Sequence, residues 1–300
     1  MTDYELYHDE STKEGYWHGM LLVPIEKKEA LINCLVTART QVGYTHKISF
    51  KKINRAGAKY DLANAWLSIA VGFLRSSPKG LPYYYCTGEK NADGICYQKL
   101  DESASGVRFI LFRERENHED MLHYPDATSK IETSFRMGFK GGLHFLFSYS
   151  QPARITRLHF DGFQHHGRHM DKQRVVDRLT GLREYCCIES KDDLIDDRGS
   201  DPGKDGSQDF DDCQLLQLTD LLIGSFRSAF GYYSNESQWK LAKYARTLIN
   251  RYIKGSSRME QSRWNHAFCL SQCYLADEKW QFETIELLEL QGVSQPKLLE

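Results

Sequence analysis

The chain has 300 residues, 41% of them hydrophobic, which suffices for one large domain or two ordinary ones around a sizeable core. Its formal net charge of -2 excludes a globally basic nucleic-acid binder, so any such surface must be local. No apolar run reaches the roughly 18 residues of a membrane helix, and the acidic, polar start from Met1 to Glu5 lacks the pattern of a secretory signal, so cytoplasm is the expected compartment.

Leu6 to Glu10 and Tyr16 to Val23 read as two strands, and the turn-like Ser11 to Gly15 between them predicts a hairpin. Ala30, Leu31, Cys34, Leu35 and Ala38 recur at helical spacing between Glu26 and Val42. Lys47 to Ile53 alternates and predicts a third strand. Asp61 is the predicted cap of a helix reaching Leu74, striped by Leu62, Ala65, Trp66, Ile69 and Phe73. Tyr83 to Thr87 and Val107 to Phe112 are strands by pattern, with a loop or insertion around Asn91 to Gly94. Asp120 to Phe147 is partly helical, with Gly138, Gly141 and Gly142 as candidate breaks. A strand from Arg154 to Phe160 leads into Asp161, followed by a short helix from Lys172 to Leu182 and a strand from Tyr185 to Glu189. Residues 191–212, rich in Asp, read as a mobile solvated loop without the spacing of a calcium loop. Leu215 to Phe230 is apolar almost all round and predicts a buried helix; Gln238 to Ile253 predicts an amphipathic one. Ser262 to Leu290 reads as helical, interrupted near Ala276 and Asp277. The alternation predicts an α/β fold with a mixed central sheet flanked by helices and a helical carboxy-terminal appendage: one domain over residues 1–234 and a helical extension over 235–300 packed on it.

The eight cysteines form no Cys-x-x-Cys pair, which argues for free thiols and against a zinc site. There is no Gly-rich phosphate loop and no Gly-x-Ser-x-Gly elbow.

Acidic residues carry the chemistry. Asp220 lies inside the apolar run from Leu215 to Gly224, where a carboxylate needs a cation, a proton or donors. Gln214, Gln217 and Asp220 repeat every three residues along one helix side, and Gly224 permits close approach. Asp9 and Glu10 end the first strand; neighbours on a strand face opposite ways, so Asp9 is the site residue and Glu10 the secondary one. Asp161 closes a later strand, which places it beside Asp9 if the strands are adjacent. Each has a plain structural reading when taken singly: an exposed strand end, a turn before Gly162, a buried acid held by a loop. Together they suggest a divalent-metal site. Lys47, Lys51, Lys52 and Arg55 form one basic cluster, and Arg168, Lys172, Arg174, Arg178 and Arg183 another, either suited to phosphates. His159, His165, His166 and His169 lack the spacing of a shared metal face.

Tyr7-His8-Asp9-Glu10-Ser11, Leu158-His159-Phe160-Asp161 and the segment from Leu215 to Gly224 together resemble the DUF3800 family, a divergent branch of the ribonuclease-H-like fold. The resemblance spans roughly residues 4 to 232 and is most specific in its last segment, where Thr219 stands in place of the usual Ala. It implies a ribonuclease-H-like domain in which Asp9, Asp161 and Asp220 hold Mg2+ or Mn2+, with Glu10 and Gln217 beside them as further catalytic residues. The expected activity is hydrolysis of phosphodiester bonds in RNA or DNA, with one ion activating water and a second stabilising the leaving oxygen. Lys47, Lys51, Lys52 and Arg168 would contact the nucleic acid. Two other readings are a catalytically silent binding or scaffold subunit of a defence or mobile-element system, and a phosphohydrolase of nucleotides.

Overall fold

A computed structural model describes residues 1–12, 15–74, 83–91, 94–100, 106–115, 124, 127–149, 151–161, 171–179, 182–188, 194–198, 210–254, 267–277 and 279–284. The predicted hairpin forms from β1 (Thr2–Ser11) and β2 (Tyr16–Pro24), with Asp9 opposite Gly19. Pro24 ends β2 and leads into α1 (Ile25–Val42), which closes on Gly43 in the left-handed region (φ 69°) with its N–H returned to Arg39 and Thr40 carbonyls. Next come α2 (Ala58–Phe73), a hairpin of β3 (Tyr83–Asn91) and β4 (Gly94–Leu100), and β5 (Arg108–Glu114). They are followed by α3 (Ala127–Leu146), β6 (Ala153–Asp161), α4 (Lys172–Arg178), β7 (Cys186–Ile188) and β8 (Ile195–Arg198). The described chain ends in α5 (Phe210–Ala229), α6 (Glu236–Lys254), β9 (Phe268–Ala276) and β10 (Lys279–Thr284).

The fold is α/β. Its mixed sheet runs β10-β9-β5-β2-β1-β6-β7, with β8 also on β6 and β3-β4 forming a separate pair. Side chains alternate between two covered faces along β1: Leu6 packs with Met20, Phe135, Phe139 and Leu143 on the α3 face, while Tyr7 packs with Leu21, Leu35, Trp66 and Leu218 on the opposite face. Helices α1, α2, α5 and α6 cover that second face. Among the described residues, no helix is long and apolar enough to cross a membrane.

Several expectations are corrected. Among the described residues beyond 254 the carboxy-terminal segment is strand and not helix: β9 pairs parallel with β5 and β10 antiparallel with β9, so these two strands extend the central sheet where a helical extension was expected. Phe268 to Leu275 is a largely buried strand, and its apolar run has no period-two signature; Asp277, at φ 51°, turns the hairpin at the position expected to interrupt a helix. Lys47 to Ile53 is no strand. It is an extended segment ending in a 3-10 turn over Phe50–Lys52, because its N–H groups bond to side chains of α5. Residues 191–212 are not loop throughout, since β8 and the first turn of α5 lie within them. Gly138 and Gly142 sit inside α3 and admit Phe112 and Ile110 of β5, so they mark close approach and not helix ends.

Candidate active site

Asp9 and Asp161 arrive on neighbouring parallel strands, where the ladder pairs Tyr7 with His159 and His8 with Phe160. Both face α5. That helix lies close on the sheet, where a Cβ on Gly19 would collide with Ile223, and close on the 3-10 turn, where one on Gly224 would collide with the Phe50 ring. Asp220, Ile223 and Gly224 share the same helix side at spacings of three and four. Burying Leu215, Leu218, Leu221, Leu222 and Phe226 stabilises α5 by about 1.5–3 kcal/mol per side chain at most, enough to carry one costly acid into the structure.

Asp9 feels the charge of both other carboxylates. Burial drives the Asp9 carboxyl well above the usual range, and the charges of Asp220 and Asp161 push it further. Burial also raises Asp220, against the Phe50 N–H, the Ser49 hydroxyl and the charges of Lys51 and Lys47, all of which favour its ionised form. Phe50 N donates to Asp220 Oδ2 at 2.7 Å. Lys47 Nζ lies 3.8 Å from Asp161 Oδ2, so the predicted basic segment reaches the acids. Lys51 acts on Asp220, Lys52 is exposed, and Arg168 lies outside the described residues. The donors are all hard oxygens and mutually repelling, which fits a divalent cation such as Mg2+ or Mn2+. They are set wider than a closed three-ligand cage, since they do not all come within 4.8 Å of one another.

Glu10 points to the other side of the sheet, where it accepts a hydrogen bond from Tyr16 Oη. Its charge still adds to the rise at Asp9, but it is not one of the converging acids. Gln217, three residues before Asp220 on the same helix side, ties down the segment that precedes Phe50. Its Oε1 accepts from Arg39 Nη2 and from Ile48 N, both at 2.9 Å. Arg39 also donates through Nε to Gln214 Oε1, and through Nη1 to the carbonyls of Tyr44 and His46. Its guanidinium stacks on Trp66, 4.7 Å from the ring centroid. Gln214, Gln217 and Asp220 thus form the predicted polar stripe, and the stripe fastens residues 44–50 over the acids.

Two polar clusters have no counterpart among the sequence-based expectations. Glu5, Tyr7, Lys28, His159 and Asp212 interlock further along the strand from Asp9, on the same face. Lys28 Nζ lies 2.7 Å from both Glu5 Oε2 and Asp212 Oδ1, and His159 Nε2 lies 3.0 Å from Glu5 Oε2. Burial raises the Glu5 and Asp212 carboxyls, yet Lys28, His159 and Tyr7 outweigh it and hold both low. Among the described residues these are the three potential ligands, Glu5, His159 and Asp212, that close within 4.8 Å. Lys28 already supplies the positive charge, and His159 Nδ1 has no hydrogen-bond partner among the described residues, whereas a metal-bound histidine is ordinarily held through its second nitrogen. The cluster is an internal ion-pair network joining α1 and α5 to the sheet. The alternation Glu5, Tyr7, Asp9 along one strand face is the signal that could have revealed it.

The second cluster lies on the α3 face. His8 Nε2 is 2.9 Å from His18 Nδ1, and His18 Nε2 is 2.7 Å from Ser134 Oγ, in a row closed off by Phe135 and Phe160. Burial pulls His8 down to about 3 and His18 well below its ordinary value, with His8 adding to the latter. Both are neutral when folded. The unfolded chain takes up protons below pH 6.5 and the folded chain does not, so this stability is present above that pH and is lost as pH falls. His8 alone accounts for about 1.4 kcal/mol per pH unit in that window. Thermal melts from neutral pH to about pH 5 should show a steeper loss in wild type than in His8→Asn. Equal slopes would mean that this row does not titrate on unfolding.

No family model, curated protein or solved structure matches the chain.

Proposed function

We propose that the protein hydrolyses phosphodiester bonds of RNA or DNA with Mg2+ or Mn2+ held by Asp9, Asp161 and Asp220. The observation that carries this reading is the shared electrostatics of three acids from β1, β6 and α5: burial and the charges of Asp220 and Asp161 lift the Asp9 carboxyl together. Buried like charges are destabilising unless they serve a cation or a proton. A hard divalent ion there would supply an activated water and positive charge for phosphate oxygens. The chain's own residues would do the rest. Phe50 N–H and Ser49 fix the Asp220 carboxylate, and Lys47, beside Asp161, would meet a phosphate oxygen. The same three segments carry the resemblance to the DUF3800 family. A ribonuclease-H-like arrangement is part of the proposal, supported by the central order β5-β2-β1-β6-β7 in which β2 alone runs against the others.

The test is cleavage of single-stranded DNA, duplex DNA, RNA and nucleotides with Mn2+ by wild type, Asp161→Asn and Asp220→Asn. Wild type should cut at least one polymer and both variants should lose about 100-fold or more, the scale on which removal of one site group slows an enzyme. Unchanged cleavage by both folded variants would refute the assignment, and cleavage of nucleotides alone would make the protein a nucleotide phosphohydrolase. One observation favours a silent binding or scaffold subunit: Lys47 already places a cation against Asp161. Absence of any heat on titration with millimolar Mg2+ or Mn2+ would support that reading.

A further inference from the structure

Three arginines use one edge of the guanidinium alike. Arg154 turns Nε and Nη2 to Asp3, at 2.8 and 2.6 Å, and Arg174 turns the same pair to Glu132, at 2.5 and 2.7 Å. Arg39 gives them to Gln214 and Gln217, both at 2.9 Å. Arg108, the first residue of β5, breaks the pattern. It is 6% exposed, yet its Nε is sealed from water without a hydrogen-bond partner. Its Nη1 donates to the carbonyl of its own neighbour, Val107, at 3.3 Å. Nη2 makes no hydrogen bond among the described residues and is not sealed, so the edge runs from the interior out to solvent. Among the described residues no carboxylate pairs with Arg108: burial pulls its guanidinium below the ordinary value, and the group that offsets this is Tyr4. Strand register explains their meeting. Arg108 stands opposite Leu22 and Tyr4 opposite Pro24, so both side chains rise on the α3 face from the strands either side of β2. Tyr4 is 4% exposed and packs on Phe147 with ring centroids 5.2 Å apart. Burial raises its hydroxyl, which stays protonated and able to donate. Glu26 acts on Tyr4 from the first turn of α1, but it is exposed and does not pair with Arg108. Three residues separate Arg108 from Leu111 in the Asp9 row, about 10 Å along the strand, and the two point to opposite faces.

A buried guanidinium without a counter-charge is costly, and a sealed polar atom without a partner ordinarily marks a bound ion or water. The edge left over narrows the choice. Nε and Nη2 lie in one plane as a fork that matches two oxygens of an anion. The Tyr4 hydroxyl adds a donor from a second strand, which suits a group with three or more oxygens. We infer that Arg108 and Tyr4 form a phosphate-binding site at the end of the sheet away from the acids. It involves other residues on the other face and does not depend on the hydrolase reading. A phosphate held there would link β1 to β5 across β2 and supply the missing negative charge, so its binding would stabilise the folded state.

The experiment follows thermal melting of the full chain with a chelator present, in about 10 mM inorganic phosphate, adenosine monophosphate or acetate, each against chloride at equal ionic strength. Wild type should melt about 2 °C or more higher in phosphate. Arg108→Met should melt no lower than wild type in chloride, because an apolar chain replaces an uncompensated charge, and phosphate should not raise it. Arg108→Lys keeps the charge without the fork and should lose most of the rise. Tyr4→Phe, which retains the ring against Phe147, should bind phosphate about tenfold more weakly, the scale of one hydrogen bond to a charged group. That variant decides the matter if Arg108→Met does not fold. A larger rise with the monophosphate assigns the site to a nucleotide phosphate, and a rise with inorganic phosphate alone assigns it to the free ion. Equal rises in wild type and Arg108→Met, no rise in wild type, unchanged phosphate affinity in Tyr4→Phe, or a rise with acetate equal to that with phosphate would overturn the site.

Discussion

Asp9→Asn should raise the melting temperature of the metal-free protein and abolish the further rise that Mn2+ gives to wild type. Asp9 is only 5% exposed, and its carboxyl is lifted first by burial and then by Asp220 and Asp161. A carboxyl whose folded value exceeds its unfolded value of 3.8 contributes stability below that value and loses it as pH rises toward the folded one. Wherever Asp9 is ionised, the site is therefore a net burden on the metal-free fold. Removing one charge relieves about 1.4 kcal/mol for each pKa unit of the rise, or about 3–5 °C for a chain of this size. The wild-type protein recovers that stability only by binding a cation, through mass action on the folded state. A lower melting temperature with an intact Mn2+ shift would place the cation elsewhere.

Arg39→Met should destabilise the protein by about 3 kcal/mol or more, the scale for stripping partners from a buried charged hydrogen-bond network. Arg39 is 6% exposed, and its fork serves Gln214, Gln217 and two carbonyls at once while its plane lies on Trp66. Arg39→Lys should fail to restore stability, because an ammonium cannot reproduce that fork or the stack. The consequence extends to the acids. Residues 44–50 would lose their tether, and with it the Phe50 N–H on Asp220 and the Lys47 charge near Asp161. Urea unfolding gives the stability change, and Mn2+ titration should show weakened binding in the variant. A near-neutral midpoint with unchanged Mn2+ affinity would show that the segment is held by other interactions.

Elements with a strong period or a firm stop are legible in the sequence. The hairpin of β1 and β2, the helices α1, α2, α5 and α6, and the strand closing on Asp161 lie close to where their patterns put them. That Asp161 and Asp220 lie near enough to Asp9 to act on its carboxyl agrees with what the sequence suggests from a carboxylate among leucines and two acids at strand ends. What escapes depends on partners distant in sequence. Lys47 to Ile53 alternates like a strand, yet Gln217 and Asp220 claim its N–H groups from α5. Phe268 to Leu275 has no period because both of its faces are covered, Phe268 and Leu270 packing in one core cluster and Cys269 in the other, so its strand character is a property of the sheet and not of the segment. Gln217 suggests a neighbour of the ligands because nothing in the sequence ties it to Arg39. The polar stripe on α5 is visible from its spacing, but its occupant is an arginine on a helix 175 residues earlier than Gln214.

The most direct test is a crystal of the wild-type protein soaked in Mn2+ and measured at the manganese absorption edge. The account requires an anomalous peak bounded by the carboxylates of Asp9, Asp161 and Asp220. A peak between Glu5, His159 and Asp212 instead, or none at either place, would contradict it.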